Sequence, residues 1–258
     1  MIRPVVLLNN SSTCDGSGRV WSSTAHCRIR PLVLESVMAQ VKRTRRELVD
    51  RALALASVVG LESISLGVLA SEVELSKSGL YAHFRSKEAL QLAVLAEAID
   101  RFTAVVVAPA LAAPRGESRL TVLFERFLAW IRTGGTTTGG ITEGEIGAVV
   151  APTPPGTGCI FMALSQEYDD RAGAIRDALV RSQQDWRETI ARVVRGAVDE
   201  GHFRADLDAE QFAFELVGIA MAFQQSQKLL ADERSGERVQ GAFESLLARS
   251  RGRRSVSG

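Results

Sequence analysis

The stretch that most constrains the fold is residues 66–87, where apolar side chains recur at the spacing of two short helices joined by a tight connection. Ser65 and Ser76 stand just before these two helices, where a hydroxyl oxygen can accept a hydrogen bond from an otherwise unpaired backbone amide. Because so short a segment forms no core of its own, it must pack against other helices. The pattern predicts a helix-turn-helix with a free polar face. Its apolar positions are Val68, Leu69, Val73, Leu75, Leu80 and Phe84.

Helical periodicity also dominates the rest of the chain. A helix predicted from residue 44 to about 59, closed by Gly60, would buttress the helix-turn-helix, and a long helix starting at Ser86 would link it to the second half of the chain. No alternating strand pattern of convincing length occurs, so the sequence predicts an all-α fold. Further helices are predicted at residues 117–132, from about 159, and at 172–200, 209–230 and 236–249.

Three segments lack this periodicity. Residues 1–37 show no period and are predicted to be disordered or a non-native leader, because Met38 opens a polar lead, a basic cluster and an amphipathic helix typical of the start of a small regulator. The alternative is a basic arm that contacts DNA, which the dispersed arginines do not favour. Residues 133–158 are rich in Gly, Pro and Thr and predict a mobile loop or lid. The basic tail, residues 251–258, is predicted to be disordered.

Composition narrows the class of protein. The formal net charge of +1 argues against a uniformly basic nucleic-acid coat, although bases cluster at residues 42–46. Three cysteines with no close pair fit neither a zinc site nor a disulfide framework and favour a reducing cytoplasm. No apolar run approaches the roughly 20 residues that a membrane span requires. We therefore expect no metal, no cofactor and no membrane partner.

Residues 68–90, VLASEVELSKSGLYAHFRSKEAL, resemble the signature of TetR-type bacterial transcriptional repressors. The likeness is strong over residues 41–93 and weaker through the second half of the chain. It departs at Glu74, where the family usually has Gly in the turn, and in the length of the 133–158 loop. The resemblance implies a DNA-binding domain at residues 38–86, a larger helical ligand-binding and dimerisation domain at 87–250, operator DNA and a small-molecule effector as partners, and a homodimer.

The candidate DNA contacts lie on the polar face of the predicted motif and in the basic cluster before it. Lys77 could reach guanine edges or a phosphate at the start of the second helix. The resemblance implies that Tyr81 and His83 donate to phosphates and that Lys87 pairs with one. A charge cluster such as Arg43 and Arg45 is often only a solvated lead into a helix. The full set is Arg43, Arg45, Ser65, Ser76, Lys77, Ser78, Gly79, Tyr81, His83 and Lys87.

In the larger domain, bulky apolar residues could line a ligand cavity, although each one is more often a core residue. The helix at residues 209–230 is apolar on more than one face, which predicts that the last two long helices form a two-fold dimer interface. The cavity candidates are Phe102, Phe124, Phe127, Trp130, Cys159, Phe161, Met162, Tyr168 and Trp186, with Phe214 and Met221 beside them. The interface candidates are Phe212, Leu216, Ile219, Phe223, Phe243 and Leu247.

The leading hypothesis is a homodimeric repressor that a small apolar or aromatic molecule releases from its operator. An enzyme built on a helical bundle is the first alternative, but the sequence offers no Glu-x-x-His pair, metal cluster or catalytic triad, so no catalytic residue is assigned. A helical protein-interaction module is the second alternative. Binding of upstream DNA would distinguish the three.

Overall fold

The computed structural model describes residues 31–73, 76–134 and 158–251, with side chains from residue 44 onward except that of Lys77. The chain divides into two compact units, Met1–Val41 and Lys42–Gly258. The described part of the first unit is the start of the first helix, and the second unit contains the rest of that helix and all the other described helices. Within the described ranges the fold is all-α, as predicted, and its extended pairing is one bridge between Phe203 and Arg251.

The described connections between the helices are short, and residues 135–157, between α6 and α7, lie outside the described ranges. A π-helical turn, Thr103–Val107, joins α4 to α5, so these three elements form one continuous helical segment. The helices are α1 Pro31–Val59, α2 Leu66–Glu72, α3 Lys77–His83, α4 Lys87–Phe102, α5 Ala108–Ala112, α6 Glu117–Thr133, α7 Ile160–Tyr168, α8 Ala174–Asp199, α9 Ala209–Lys228 and α10 Ser235–Ser250.

The first helix begins earlier than predicted. Its first residue is Pro31 rather than Thr44, so the prediction of little regular structure is wrong for residues 31–37. Pro fits the first helical position, and most of the residues after it are strong helix formers even without a clear apolar stripe. Residues 1–30, Glu74 with its turn, the central loop at 135–157 and the tail at 252–258 lie outside the described residues.

The predicted helix starts of the DNA-binding motif are confirmed. Ser65 accepts a hydrogen bond from the Val68 amide at 3.2 Å, and Ser76 accepts one from the Gly79 amide at 3.1 Å. Ser86 caps α4 in the same way, accepting from the Ala89 amide at 3.0 Å. Each hydroxyl supplies a partner for a first-turn amide that has no intrahelical acceptor, which fixes the start of its helix.

One hydrophobic core runs from the helix-turn-helix through the larger domain. Leu69, Leu80 and Phe84 are buried in the helix-turn-helix, beside apolar residues of α1. In the larger domain α8 packs on α9 and α9 on α10, while the Phe124 ring of α6 stacks on the Phe243 ring of α10 with centroids 3.9 Å apart. No helix in the described part of the chain has the length and apolar character to cross a membrane.

Candidate nucleic-acid interface and ligand cavity

The exposed face of α3 carries most of the predicted DNA contacts. The Tyr81 side chain is 55% exposed, Ser76 and Ser78 are exposed, and His83 is half-buried. The Ser76 and Ser78 hydroxyl oxygens lie 3.0 Å apart, so both stand at the N-terminal end of the helix. The N-terminal end of a helix carries a partial positive charge, which favours an anion such as a phosphate.

The structure describes the side chains of the basic cluster at residues 42–46 only in part. The side chains of Arg43 and Lys77 lie outside the described residues. The Arg45 guanidinium lies 5.0 Å above the centre of the Phe84 ring, a cation–π contact with the core of the motif. Arg45 is nevertheless exposed, so packing against Phe84 and contact with DNA are compatible roles for its long side chain.

Lys87, which is predicted to contact a DNA phosphate, already forms an ion pair within the protein. Its ammonium lies 2.6 Å from a carboxylate oxygen of Glu62, in the connection between α1 and α2. The other Glu62 oxygen accepts from the Tyr168 phenol at 3.2 Å and faces the Arg171 guanidinium at 3.7 Å. The hydrogen bond from Lys87 lowers the pKa of the Glu62 carboxyl. No local pattern links residues 62 and 87, which is why sequence reasoning missed the pair.

A second carboxylate at this junction was also missed. Glu167 of α7 accepts hydrogen bonds from the backbone amides of Leu61, at 3.0 Å, and Glu62, at 2.6 Å. The buried Gln91 amide of α4 donates to the Leu61 carbonyl at 2.8 Å. The larger domain therefore provides partners for the backbone of the α1–α2 turn.

A cavity of about 490 Å³ lies in the larger domain between the α4–α5 segment and helices α6 to α9. The structure brings six of the nine predicted cavity residues to its wall, together with Met221. Sequence reasoning missed the small and polar residues of α8, although their spacing places them on the same helical face as Trp186. The six predicted residues are Phe102, Phe127, Cys159, Phe161, Met162 and Trp186, and the missed ones on α8 include Ala178, Ser182, Asp185 and Thr189.

Three predicted cavity residues lie elsewhere. Phe124 is buried against Phe243, away from the cavity. Trp130 is buried behind the wall, stacked on Phe161 with centroids 6.1 Å apart. Tyr168 belongs to the domain junction, where burial and the neighbouring carboxylates raise the pKa of its phenol and keep it a donor to Glu62. Aromatic composition does not show which side of a helix faces a void, and these three residues do not line this cavity.

An aromatic cluster forms the deep end of the cavity. The Phe102 ring makes edge-to-face contacts with Phe161, at 5.5 Å between centroids, and with Trp186, at 4.8 Å. Phe127 packs edge-on to Phe102 and Trp186, at 5.9 and 5.0 Å. Burial raises the pKa of the Cys159 thiol, so this residue contributes a neutral, apolar surface.

The polar groups of the cavity lie nearer its mouth. The Ser165 hydroxyl donates to the Phe161 carbonyl and the Ser182 hydroxyl to the Leu179 carbonyl, both at 2.8 Å. Arg181 and Asp185, the charged residues of the described lining, are exposed. The deep wall therefore suits an uncharged apolar group.

The predicted dimer residues are mostly core residues of a single chain. Five of the six are buried within their own protomer, and Ile219 is half-buried, so as a set they do not form an exposed surface. Apolar periodicity identifies residues that need a partner but not whether that partner is in the same chain. On α9 the exposed apolar residues are instead Phe214, at 59%, and Met221, at 46%. The five buried residues are Phe212, Leu216, Phe223, Phe243 and Leu247.

The structure joins a helix-turn-helix, through a continuous helical segment, to a helical domain with a cavity. This arrangement is that of transcriptional regulators in which a single polypeptide binds both DNA and a small ligand. Comparison with family models identifies the family. Residues 48–94 match the model of bacterial regulatory proteins of the tetR family, and residues 145–243 match the tetracyclin repressor-like C-terminal domain. The chain belongs to the TetR family of DNA-binding transcriptional regulators, which are not enzymes.

Solved structures share the fold at low sequence identity. A TetR-family regulator from Cytophaga hutchinsonii is 18% identical with a TM-score of 0.65, and the match covers 82% of this chain and 96% of that chain. A TetR regulator from Chloroflexus aurantiacus is 20% identical with a TM-score of 0.65, covering 81% and 95%. AibR, solved with isovaleryl coenzyme A and operator DNA, is 18% identical with a TM-score of 0.58, covering 80% and 98%. The comparison with curated proteins found no match.

Proposed function

We propose that this regulator is a repressor that leaves its operator when a small apolar or aromatic molecule occupies the cavity. The observation that carries the proposal is the course of α4. This helix begins at Lys87, beside the helix-turn-helix, which is called the head below, and it ends at Phe102, in the cavity wall. A ligand that prefers one position of this helix would change the population of DNA-binding conformations.

The operator would be read by α3. The exposed hydroxyls of Ser76 and Ser78, the Tyr81 phenol and His83 suit contacts with phosphates and base edges in a major groove. We assign base contact to Lys77 and phosphate contact to Lys87, which would exchange Glu62 for DNA. These assignments explain how a chain with a net charge of only +1 can bind DNA through one local surface.

The effector would be largely apolar. A volume of about 490 Å³ fits a drug-sized molecule. An ionised group buried against Phe102 and Trp186 would lose its hydration without a compensating charge, which is costly. The rings of the deep wall favour flat or aliphatic groups, while Arg181 and Asp185 leave room for a polar group at the mouth. The crystallised AibR complex, which contains both isovaleryl coenzyme A and operator DNA, supports this combination of partners on the same scaffold.

We further propose a homodimer that uses the exposed apolar face of α9. Phe214 and Met221 are seven residues apart and therefore lie on one face of the helix. A two-fold dimer would place two α3 helices about 34 to 36 Å apart on a near-palindromic operator. The enzyme and interaction-module alternatives are not favoured, because both matched families consist of transcriptional regulators.

A gel shift on the DNA upstream of the protein's own gene tests the proposal. The protein should bind a fragment of that DNA specifically, and a compound that raises its melting temperature should weaken this binding. A hundredfold preference of the compound for the unbound conformation corresponds to about 2.7 kcal/mol per site. Stabilisation by compounds without any change in operator affinity would contradict the proposed release mechanism.

A further inference from the structure

Residues 60–62, in the connection between α1 and α2, are held by side chains of the larger domain. The Glu167 carboxylate accepts from two consecutive backbone amides, Leu61 at 3.0 Å and Glu62 at 2.6 Å. Hydrogen bonds to an ionised acceptor are roughly twice as strong as neutral ones, and two of them fix direction as well as distance. The last turn of α7 therefore binds the backbone of the α1–α2 connection through two hydrogen bonds.

The shape of the turn is adapted to these hydrogen bonds. Gly60 has φ +83°, a conformation that side-chain-bearing residues rarely adopt, and its amide closes α1 by donating to the Ala56 carbonyl at 2.9 Å. A Cβ atom at Gly60 would lie only 3.2 Å from a Glu167 carboxylate oxygen. The carboxylate thus packs directly against the glycine, and the turn and α7 fit closely.

Other contacts fix the head at neighbouring points. Tyr168, next to Glu167, donates its phenol to Glu62 at 3.2 Å. At the C-terminal end of α4, the Arg101 guanidinium pairs with Asp50 of α1. Loss of the Glu167 contact would remove the two hydrogen bonds that fix the turn backbone, so α4 and the remaining side-chain contacts would let the helix-turn-helix tilt over a wider range.

The same short helix forms part of the cavity wall. Phe161, Met162 and Ser165 of α7 line the cavity, and Glu167 lies within one further turn.

We propose that Glu167 is the positioning residue that sets the orientation of the helix-turn-helix relative to the larger domain. The proposal is independent of the ligand.

The test measures the orientation directly, without DNA or ligand. Spin labels at Ser71→Cys on α2 and Gln240→Cys on α10, both exposed positions, report the head-to-domain distance by pulsed electron resonance. Cys14→Ser and Cys27→Ser remove other labelling sites, and excess unlabelled protein suppresses distances between protomers. Glu167→Gln should broaden or shift the distance distribution while thermal unfolding stays cooperative.

Matched variants make the result specific. Asp170→Asn removes one exposed carboxylate close to the same helix end and should reproduce the parent distribution. Glu167→Asp keeps the charge but is one methylene shorter, so it should give an intermediate distribution and serves if Glu167→Gln does not fold. Parent-like distributions in every folded Glu167 variant would overturn the proposal.

A second readout uses the operator fragment. Glu167→Gln should weaken operator binding at least threefold with an unchanged salt slope, because no phosphate contact is removed. Stronger operator binding would instead indicate that the Glu167 carboxylate lies near the DNA and repels its phosphates, which would contradict the positioning role. Because the distance measurement needs no DNA, failure of the gel shift would reject the proposed function and leave the positioning result intact.

Discussion

Substitution of Glu62 by Gln tests whether Lys87 is shared between a carboxylate of the protein and a DNA phosphate. The Lys87 ammonium and a Glu62 oxygen are 2.6 Å apart, and the two side chains remain 41% and 43% exposed. Exposed ion pairs of this kind contribute about 0.2 to 1 kcal/mol. Release of Lys87 should therefore strengthen operator binding by about 1.4- to fivefold. The neutral amide keeps an oxygen that can accept from Tyr168, so the turn retains a partner.

The assay is a titration of the operator fragment by fluorescence anisotropy at several salt concentrations. Lys87→Ala should lower the salt slope by about one unit, as expected for one lost phosphate contact. The double variant Glu62→Gln with Lys87→Ala should bind like Lys87→Ala alone, since the gain acts through the lysine. Glu72→Gln, at an exposed position of α2, controls for the removal of one negative charge from the head.

Two results would refute this reasoning. If Glu62→Gln strengthens binding equally when Lys87 is already Ala, the gain is a general charge effect and does not depend on the lysine. If Lys87→Ala leaves the slope unchanged, then Lys87 is a structural residue of the domain junction and the predicted phosphate contact is wrong.

Four further outcomes are expected. Ser76→Ala should lower the free energy of unfolding by about 0.5 to 2 kcal/mol in urea through loss of the α3 cap, whereas an unchanged midpoint would contradict the capping role. Phe102→Ala should cost about 3 to 5 kcal/mol in the same assay, because it enlarges the cavity within the aromatic cluster, and a cost below 1 kcal/mol would show that the cluster is loosely packed. Phe214→Glu, at a side chain that is 59% exposed and does not line the cavity, should convert the dimer to a monomer in sedimentation with little change in unfolding midpoint, and a persistent dimer would exclude this face of α9. Finally, Arg251 lowers the pKa of the Glu117 carboxyl, so this pair should stabilise the fold above about pH 4.5 and lose its contribution as the pH falls through the depressed value; Arg251→Ala should flatten the acid limb of stability against pH.

Local chemistry made the DNA-binding head predictable. The capping hydroxyls of Ser65, Ser76 and Ser86 act within three residues of their partners, and Gly60 ends α1 through its own backbone conformation. Such signals depend only on residues that are close in the sequence, so they can be recognised without knowing the tertiary fold. The start of α1 was missed because helix propensity, rather than an apolar stripe, marks residues 31–43.

Long-range pairing limited the prediction of the site. Glu62 and Lys87 are 25 residues apart, and Leu61 and Glu167 are 106 apart, and no periodicity connects either pair. Phe223 and Phe214 are both apolar and on the same helix, yet one is buried and the other exposed. An apolar residue type predicts that the side chain will contact apolar neighbours. It does not predict whether those neighbours belong to the core, to a ligand in a cavity or to a partner protomer, because this depends on how the whole chain packs.

The π-helical turn after Phe102 gives the linking segment room for one residue more than a regular α-helix of the same course. In an α-helix each residue advances the direction of the side chains by about 100°, whereas a π turn takes up one extra residue and keeps the following side chains in their directions. Deletion of one residue within Thr103–Val107 would therefore convert the turn to α-helical geometry and leave Ala110, which is fully buried, in its packing. A single-codon deletion in this turn should consequently be tolerated better than one in the middle of α4, where it would rotate all the following side chains by about 100°.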